Sequence, residues 1–429
     1  MKICIHTLGC KVNQYESDVL AECLRKLGHE VSTELEIADV YILNSCAVTN
    51  EAERKSRQAI SKFYALNPNA RVLVCGCASE KDDSQFSALK NVNYVSGVAN
   101  KMKLIEKLEE DGAEIDPLPT AYENFGLSTS SNTRAYVKIQ DGCNNFCSYC
   151  IIPYLRGRSR SRDIVSILNE VEGLVSGAVN EDKPYINEIV LTGINLSDFK
   201  IDGKSGLITL LKELDKFSVR IRLGSLEQGL ISDDFLKEAK SLQNFCPHFH
   251  LSMQSGSNTV LKRMNRKYTK REYLKSVKKI RKYFENPAIT TDVIVGFLGE
   301  TNKEFKETLK TIKKAKFASM HIFPYSLRTG TVAEKMLLNG KYSLVAGEIV
   351  KKRVKKLEKL NRKLKKRYLL SISGKTFQML VETVHDGYLV GHTENFVKCY
   401  LPADNVELNT LQSVEIVEPY KDGALVKLN

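Results

Sequence analysis

Short apolar runs alternate with stretches of helical spacing through the first 110 residues. Helical patterns cover residues 14–27 and 51–66, and strand-like runs rich in β-formers cover residues 2–6, 40–44, 71–75 and 93–95. Strands that alternate with helices form βαβ units with a parallel sheet. The pattern therefore predicts a parallel α/β domain over residues 1–112.

A second alternation follows a stretch with Pro117, Pro119 and a Ser/Thr/Asn-rich run at 128–133, which indicates a linker over 113–132. Helical patterns separate six strand-like runs, at 135–139, 188–192, 220–223, 248–253, 291–295 and 319–323. Six repeats predict an open, six-stranded version of the TIM-like α/β barrel over 133–368. Such a barrel builds its site at the C-terminal ends of its strands.

The last hundred residues change character twice. Residues 342–368 predict one long helix, with an apolar stripe at Val354, Leu357, Leu360 and Leu364. Residues 369–429 hold short alternating runs typical of a small antiparallel β-barrel. The fold class expected is a multi-domain α/β protein with a C-terminal β-barrel.

Composition excludes several classes of protein. The 429 residues are 42% hydrophobic and 27% charged, which is ordinary for a globular chain, and no apolar run is long enough for a membrane span. The eleven cysteines are an odd number, and the N-terminal segment has no cleavable signal pattern. We therefore expect free thiols in a reducing cytoplasm, used for metal binding or catalysis.

Positive charge is concentrated in one part of the chain. The net charge is +13, and the excess of Lys and Arg lies between residues 113 and 368, whereas the flanking segments are acidic. The run KKRVKKLEKLNRKLKKR at 351–367 has eleven basic residues and one acid. Either this field binds nucleic acid or it is a solvated surface; the apolar stripe beneath it favours a phosphate track.

Cys143, Cys147 and Cys150 form a CxxxCxxC cluster directly after a predicted strand. Three thiolates can hold three irons of a 4Fe–4S cluster and leave the fourth iron open to an external ligand. A zinc loop is the alternative, but no nearby His or Cys would complete it. The spacing favours the iron–sulfur cluster.

Three further cysteines share one placement. Cys10, Cys46 and Cys77 each follow the C-terminal end of a predicted parallel strand, the edge where open α/β sheets build sites. They indicate a second cluster, although buried cysteines also pack as small hydrophobes. The remaining five are expected to be packing residues.

The chain resembles known families from end to end. CNNFCSYC resembles the motif of radical S-adenosylmethionine (SAM) enzymes, in which Tyr149 would lie near the adenine. HTLGCKVNQYES, ILNSCAVTNEAERKSRQAI and VLVCGCAS resemble the three cysteine motifs of the methylthiotransferase family, and GKTFQMLVET and GHTENFVKCYL resemble its C-terminal TRAM domain.

That resemblance implies an enzyme that attaches a methylthio group to an unactivated carbon, with SAM as both radical source and methyl donor. It implies that Cys143, Cys147 and Cys150 hold the radical 4Fe–4S cluster, and that Cys10, Cys46 and Cys77 hold an auxiliary 4Fe–4S cluster that presents sulfur. The partners implied are a tRNA, an electron donor protein and a sulfur source, with no membrane involved.

Three substrate classes occur in the family. HTLGCKVNQYES and RGRSRSR are most similar to the branch that modifies N6-threonylcarbamoyladenosine at position 37 of tRNA, where C2 of the adenine would be methylthiolated. The alternatives are the same chemistry on isopentenyl-adenosine of tRNA or on a ribosomal-protein aspartate. A third hypothesis is a non-catalytic iron–sulfur RNA-binding regulator, which would not need a SAM pocket.

Polar residues after the barrel strands are the expected contacts to SAM: Thr192, Gly193, Asn195, Ser225, Glu227, Gln254 and Ser255. Each is equally compatible with an ordinary turn. The run after the radical motif supplies the expected substrate contacts, Arg156, Arg158, Arg160 and Arg162, because a guanidinium group matches a phosphate or carboxylate. Some of these arginines are alternatively surface charges at a helix start.

Overall fold

A six-stranded parallel sheet forms the N-terminal part of the computed structural model, which describes residues 1–124, 126, 133–176, 186–402 and 406–429. Its strands, in spatial order, are Glu30–Ser32, Lys2–Thr7, Val40–Ser45, Arg71–Gly76, Tyr94–Ser96 and Gly112–Glu114. The helices of this part are Lys11–Lys26, Asn50–Leu66, Cys77–Lys81 and Ser84–Ser87, with a 3₁₀ turn at Lys101–Ile105.

The central strands of the sheet have apolar side chains on both faces, so both faces are covered. Tyr41 and Leu43 pack into one apolar core and Val40 and Ile42 into the other, because successive side chains of a strand point to opposite faces. The predicted parallel α/β domain is confirmed. The sequence pattern missed the two edge strands, which are three residues long and largely exposed and so carry little hydrophobic signal.

Six consecutive parallel strands form the predicted partial barrel. They are Arg134–Lys138, Glu188–Thr192, Arg220–Leu223, His248–Leu251, Ala288–Val295 and Ser319–Pro324. The third strand resumes beyond Gly224 as Ser225–Leu226, which pairs with the fourth. Part of the predicted linker, residues 125 and 127–132, lies outside the described residues.

Helices cover the outside of this barrel. The principal ones are Ile164–Ser176, Leu207–Leu214, Asp233–Ser241, Lys270–Tyr283 and Asn302–Ala315, joined by the shorter Ile152–Leu155, Asn258–Arg263 and Val332–Leu338. Thr269 and Thr301 begin two of them with complete capping boxes, each closed by a Glu three residues later. The helical patterns in the sequence therefore matched the structure closely.

The predicted long helix runs from Gly347 to Ser371 and lies along the last barrel strand. Leu357 and Leu364 of its apolar stripe are buried in the barrel core. The Asn361 side-chain amide accepts from the Met320 N–H at 3.0 Å and donates to the Met320 C=O at 2.9 Å, so it satisfies the open strand edge. No helix among the described residues is long and apolar enough to cross a membrane.

Five strands at the C-terminus close into a small barrel: Thr376–His385, Tyr388–Thr393, Lys398–Leu401, Leu411–Tyr420 and Gly423–Leu428. It docks on the larger barrel through two arginines. Arg220 donates to the Gln378 C=O at 2.7 Å, and Arg222 donates to the Glu394 C=O at 2.8 Å. The expected β-barrel is confirmed, but it is not wholly antiparallel, because Lys398–Leu401 and Gly423–Leu428 pair in parallel. It covers the end of the larger barrel where the strands begin.

A buried network of charges joins the N-terminal domain to the barrel. Glu16, on the first helix, pairs with Lys101 of its own domain, with Lys138 at 2.7 Å and with Arg156 at 2.8 Å. Arg156 also pairs with Asp141 at 3.0 Å. Burial opposes the charged form of Glu16, but the three cations hold its pKa well below the usual range.

Replacing Glu16 with Gln tests this network. Three buried cations would lose their shared carboxylate, so we expect the free energy of unfolding to fall by about 3 kcal/mol or more. The measurement is guanidinium unfolding of the full-length protein followed by circular dichroism. The matched control is Glu51→Gln, which breaks an exposed pair with Arg54 and should leave the transition nearly unchanged. Equal effects of the two variants would contradict the role of Glu16.

Candidate active site

One cavity of about 900 Å³ lies between the N-terminal domain, the strand ends of the barrel and the C-terminal barrel. Residues from all three parts line it, including Cys10, Cys143, Cys147 and Cys150. Cys10 of the N-terminal domain and the CxxxCxxC loop of the barrel therefore line the same cavity.

Three neighbouring parallel strands position the N-terminal thiols. Cys10 precedes the first helix, Cys46 follows the strand Val40–Ser45 directly, and Cys77 begins the short helix after Arg71–Gly76. Gly9 has a φ of +106°, and a Cβ there would come within 2.8 Å of the Cys46 Sγ. The absence of a side chain at Gly9 thus allows the loop that carries Cys10 to lie directly against Cys46.

Hydrogen bonds between polar side chains and the backbone hold these loops in register. The Asn13 side chain donates to the Leu8 C=O at 2.8 Å and to the Ser45 C=O at 3.0 Å. The Ser45 hydroxyl donates to the Cys75 C=O at 2.6 Å and accepts from the Ala78 N–H at 3.2 Å. Polar residues at these positions therefore tie all three cysteine loops together.

The CxxxCxxC loop is anchored from a distant turn after the helix Asn258–Arg263. The Ser148 hydroxyl donates to the Arg263 C=O at 2.7 Å, and the Asn265 side chain donates to the Phe146 C=O at 2.9 Å. The Tyr149 ring lines the cavity and packs edge-on against Phe297, with centroids 6.3 Å apart.

The chemistry of the thiols fits metal ligands. Burial, together with the neighbouring Cys77 and Cys10 thiols, raises the pKa of Cys46 to about 12. Burial and neighbouring thiols likewise raise the pKa of Cys150 to about 12 and that of Cys143 to about 11. Thiols with a raised pKa become thiolates readily only beside a strong positive charge, which iron would supply. The two trios therefore suit two iron–sulfur clusters.

Six of the seven residues expected to contact SAM line the cavity: Thr192, Gly193, Asn195, Ser225, Glu227 and Gln254. Gln140 supports one of these turns, because its side-chain oxygen accepts from the Asn195 N–H at 2.8 Å. Gln254 has a φ of +60°, an uncommon conformation that fits a turn at the edge of the cavity.

Ser255 requires a correction. It is fully buried, its hydroxyl lies 3.3 Å from that of Thr308 on the helix Asn302–Ala315, and it is not among the residues that line the cavity. The chain turns at Gln254, so the next side chain points away from the cavity into the helix packing. The structure therefore does not support a contact between Ser255 and SAM.

Three of the four arginines after the CxxxCxxC motif also require a correction. Arg156 belongs to the buried network around Glu16, Arg162 is buried in an ion pair with Glu170, and Arg160 donates to backbone carbonyls of its own loop. All three guanidinium groups are occupied inside the protein, so the structure does not support them as substrate contacts. Only Arg158 is exposed, with its guanidinium 4.4 Å from the Phe146 ring centroid.

Arg266 is a site residue that the sequence analysis missed. Its guanidinium group donates to the Cys147 Sγ at 3.4 Å and pairs with Glu227 at 2.9 Å. It therefore places a positive charge beside one thiol and orients a carboxylate expected to contact SAM. It lies within the motif HLSMQSGSNTVLKRMNRKYT. This motif is far from Cys147 in the sequence, so nothing in the sequence indicates that the two residues are in contact.

The inner face of the barrel strands is polar, which the apolar strand pattern did not indicate. Asp292 accepts from His321 at 3.1 Å and lies 3.2 Å from the His250 ring nitrogen. Burial opposes the charge of Asp292, but these two hydrogen bonds hold its pKa well below the usual range. The three side chains line the cavity. The signal that could have found them is the alternation of polar residues along the fourth to sixth strands.

Two family models match the chain. The one described as "Uncharacterized protein family UPF0004" matches residues 2–97, and the one described as "Radical SAM superfamily" matches residues 137–312. These two ranges contain both cysteine trios and most of the strand-end residues that line the cavity.

Curated relatives match over nearly their whole length. The threonylcarbamoyladenosine tRNA methylthiotransferase MtaB of Bacillus subtilis is 35% identical, with 99% of this chain and 96% of the relative covered. MtaB of Thermotoga maritima is 37% identical over 92% of this chain and 90% of the relative. The tRNA-2-methylthio-N(6)-dimethylallyladenosine synthase of Clostridium novyi is 35% identical over 88% of this chain and 85% of the relative.

Among solved structures, the radical S-adenosylmethionine methyltransferase TsrM from Kitasatospora setae is similar in fold. Its TM-score is 0.57 at 13% identity, with 79% of this chain and 75% of that chain covered. At this identity the similarity is one of fold. On the identity and coverage of its curated relatives, the chain belongs to the radical SAM methylthiotransferase family, where it is most similar to the MtaB branch.

Proposed function

We propose that this enzyme methylthiolates C2 of N6-threonylcarbamoyladenosine at position 37 of tRNA. The observation that carries the proposal is the single cavity lined by the CxxxCxxC loop and by Cys10 of the N-terminal trio. Both the names of the MtaB relatives and the composition of this cavity support it. The same chemistry on dimethylallyladenosine of tRNA is the second candidate, because relatives of that name are nearly as similar.

Membership of this family implies that the cofactors are SAM and 4Fe–4S clusters. When bound, they supply the 5′-deoxyadenosyl radical, the sulfur atom and the methyl group. In this proposal Cys143, Cys147 and Cys150 of the barrel domain (133–368) hold the radical cluster. Cys10, Cys46 and Cys77 of the N-terminal domain (1–112) hold the auxiliary cluster.

Residues of this chain would bind SAM and orient it. Thr192, Gly193 and Asn195 offer polar groups at the end of the second barrel strand, and Glu227, held by Arg266, offers a carboxylate at the end of the third. Tyr149 presents its ring beside the cysteine loop, where an adenine can stack. In the proposal these groups would bind and orient SAM in the cavity that the cysteine loop lines.

For tRNA, the long helix Gly347–Ser371 provides a positively charged face. Lys352, Lys355, Lys356 and Lys359 are exposed on it, while Leu357 and Leu364 hold the opposite face against the barrel. The fixed backbone and outward charges suit a track for RNA phosphates. The C-terminal TRAM domain (369–429), which is acidic, would position the anticodon loop rather than follow its phosphates. Partners still required are an electron donor protein and a sulfur source, in the cytoplasm where thiols stay reduced.

Loss of one radical-cluster ligand should abolish the first step. In Cys147→Ala the cluster site keeps two thiols, so we expect no SAM cleavage by the chemically reduced protein. The measurement is 5′-deoxyadenosine formation by liquid chromatography under anaerobic conditions. The control is Cys23→Ala, which removes a half-buried helix thiol outside both trios. Cleavage at the parent rate by Cys147→Ala would refute the ligand assignment.

Loss of an auxiliary-cluster ligand should separate the two halves of the reaction. Cys46→Ala leaves the CxxxCxxC loop intact, so some SAM cleavage should remain, while methylthiolation of tRNA should be abolished. Both products can be quantified in the same assay, with iron content measured beside them. Intact methylthiolation in this variant would show that Cys46 does not hold the sulfur-presenting cluster.

The substrate is tested by mass spectrometry of tRNA nucleosides from cells with and without this gene. Deletion should remove the methylthio form of threonylcarbamoyladenosine and let the unmethylthiolated nucleoside accumulate, and a plasmid copy should restore it. Unchanged levels would contradict the proposal. Loss of the methylthio form of dimethylallyladenosine instead would establish the second candidate.

A further inference from the structure

Lys11 places a cation in the catalytic cavity next to an auxiliary-cluster thiol. It follows Cys10 directly, begins the helix Lys11–Lys26, and lines the cavity with its ammonium group 5.9 Å from the Tyr136 ring centroid. Among the described residues, no carboxylate forms an ion pair with it, and its side chain donates no hydrogen bond. Lys11 is exposed to this cavity, so its ammonium group is open to a ligand that supplies negative charge.

The surroundings of Lys11 leave its charge without a counter-ion. The closest acidic influence on it is Glu188, which is fully buried and bound by three arginines, Arg134, Arg220 and Arg222. Arg134 also forms an ion pair with Glu382 of the C-terminal barrel. Glu394 also faces Arg220 and Arg222, so three carboxylates balance the three arginines. The charge of Lys11 is therefore not neutralised here, and Lys11 remains available for an anion.

The proposed substrate carries a suitable anion, and its competitor does not. The threonylcarbamoyl group ends in a carboxylate, whereas a dimethylallyl group is a neutral hydrocarbon. In adenine, C2 and the carbon that bears N6 are both bonded to N1. An adenine with C2 beside the auxiliary cluster therefore brings its N6 substituent close to the residue that follows Cys10.

We propose that Lys11 recognises the carboxylate of the threonylcarbamoyl group and so determines which modified adenosine the enzyme accepts. This inference rests on the proposed function. The ammonium group forms a charge-assisted hydrogen bond with the carboxylate. A dimethylallyl group in the same place offers the ammonium group no acceptor, so the enzyme would lose this contact with the apolar analogue.

The test compares two anticodon stem-loops that differ only in this group: one carries the threonylcarbamoyl carboxylate and the other the corresponding carboxamide. The parent enzyme, with its clusters, should bind the carboxylate form about tenfold or more tightly, and kcat/KM should fall similarly for the carboxamide. Lys11→Met should bind the two forms equally, through loss of affinity for the carboxylate. Binding is measured by fluorescence anisotropy and turnover by mass spectrometry.

Controls separate the possible sources of the anion. Lys26→Met removes an exposed lysine at the other end of the same helix and should keep the parent's preference. Iron content and 5′-deoxyadenosine formation without RNA are measured for Lys11→Met and the parent, and the preference is taken as the ratio between the two stem-loops within each protein. Weaker SAM binding in Lys11→Met would assign the lysine to the methionine carboxylate. Equal loss of affinity for a stem-loop with unmodified adenosine would assign it to a phosphate. Either result overturns the proposal.

The same measurements distinguish a wrong role for Lys11 from a wrong substrate assignment. If the parent methylthiolates the threonylcarbamoyl stem-loop but Lys11→Met retains the preference for carboxylate over carboxamide, only the role of Lys11 is refuted. If the parent cleaves SAM yet leaves that stem-loop unmodified and accepts the dimethylallyl form, the substrate assignment fails, and the role of Lys11 fails with it.

Discussion

The buried network around Glu16 is the interaction on which the site depends. Glu16 belongs to the N-terminal domain, whereas Lys138, Asp141 and Arg156 belong to the barrel, and all are removed from water. Buried charges require their partners in specific geometry, so the two domains have one favourable orientation. That orientation brings Cys10 to the cavity lined by the CxxxCxxC loop. Without it, each domain would keep its own thiols but the shared cavity would be lost.

Positive charge in this structure is placed beside groups that become negative. Arg266 hydrogen-bonds the Cys147 thiol. Burial raises the pKa of Cys77, and Arg156, at the centre of the network, opposes that effect. Each trio therefore has one guanidinium group near one of its thiols, which favours the thiolate form. The arginines near the cysteines thus act on the thiols and the domain interface, whereas the exposed lysines of the long helix face outward.

The barrel interior explains why the strand pattern was incomplete. The outer face of each strand packs on helices and is apolar, but the inner face lines a cavity, so polar residues such as His250 and Asp292 are accommodated there. The C-terminal barrel closes the base of this interior with Phe396, whose ring stacks on His248 and His392 with centroids 4.9 and 4.7 Å away. The C-terminal barrel therefore contributes to the wall of the cavity.

By itself, the sequence determined the order and type of most elements and the identity of the six cysteines proposed as ligands. Hydrophobic periodicity, capping residues and the CxxxCxxC spacing are local signals that short stretches carry. Only the tertiary structure decided which polar side chains face the cavity. It removed Ser255 and three arginines from the predicted contacts and added Lys11 and Arg266. The reason is physical. The local sequence around a charged residue is the same whether the side chain faces solvent, a buried partner or a ligand. Which of these it faces depends on residues far apart in the chain.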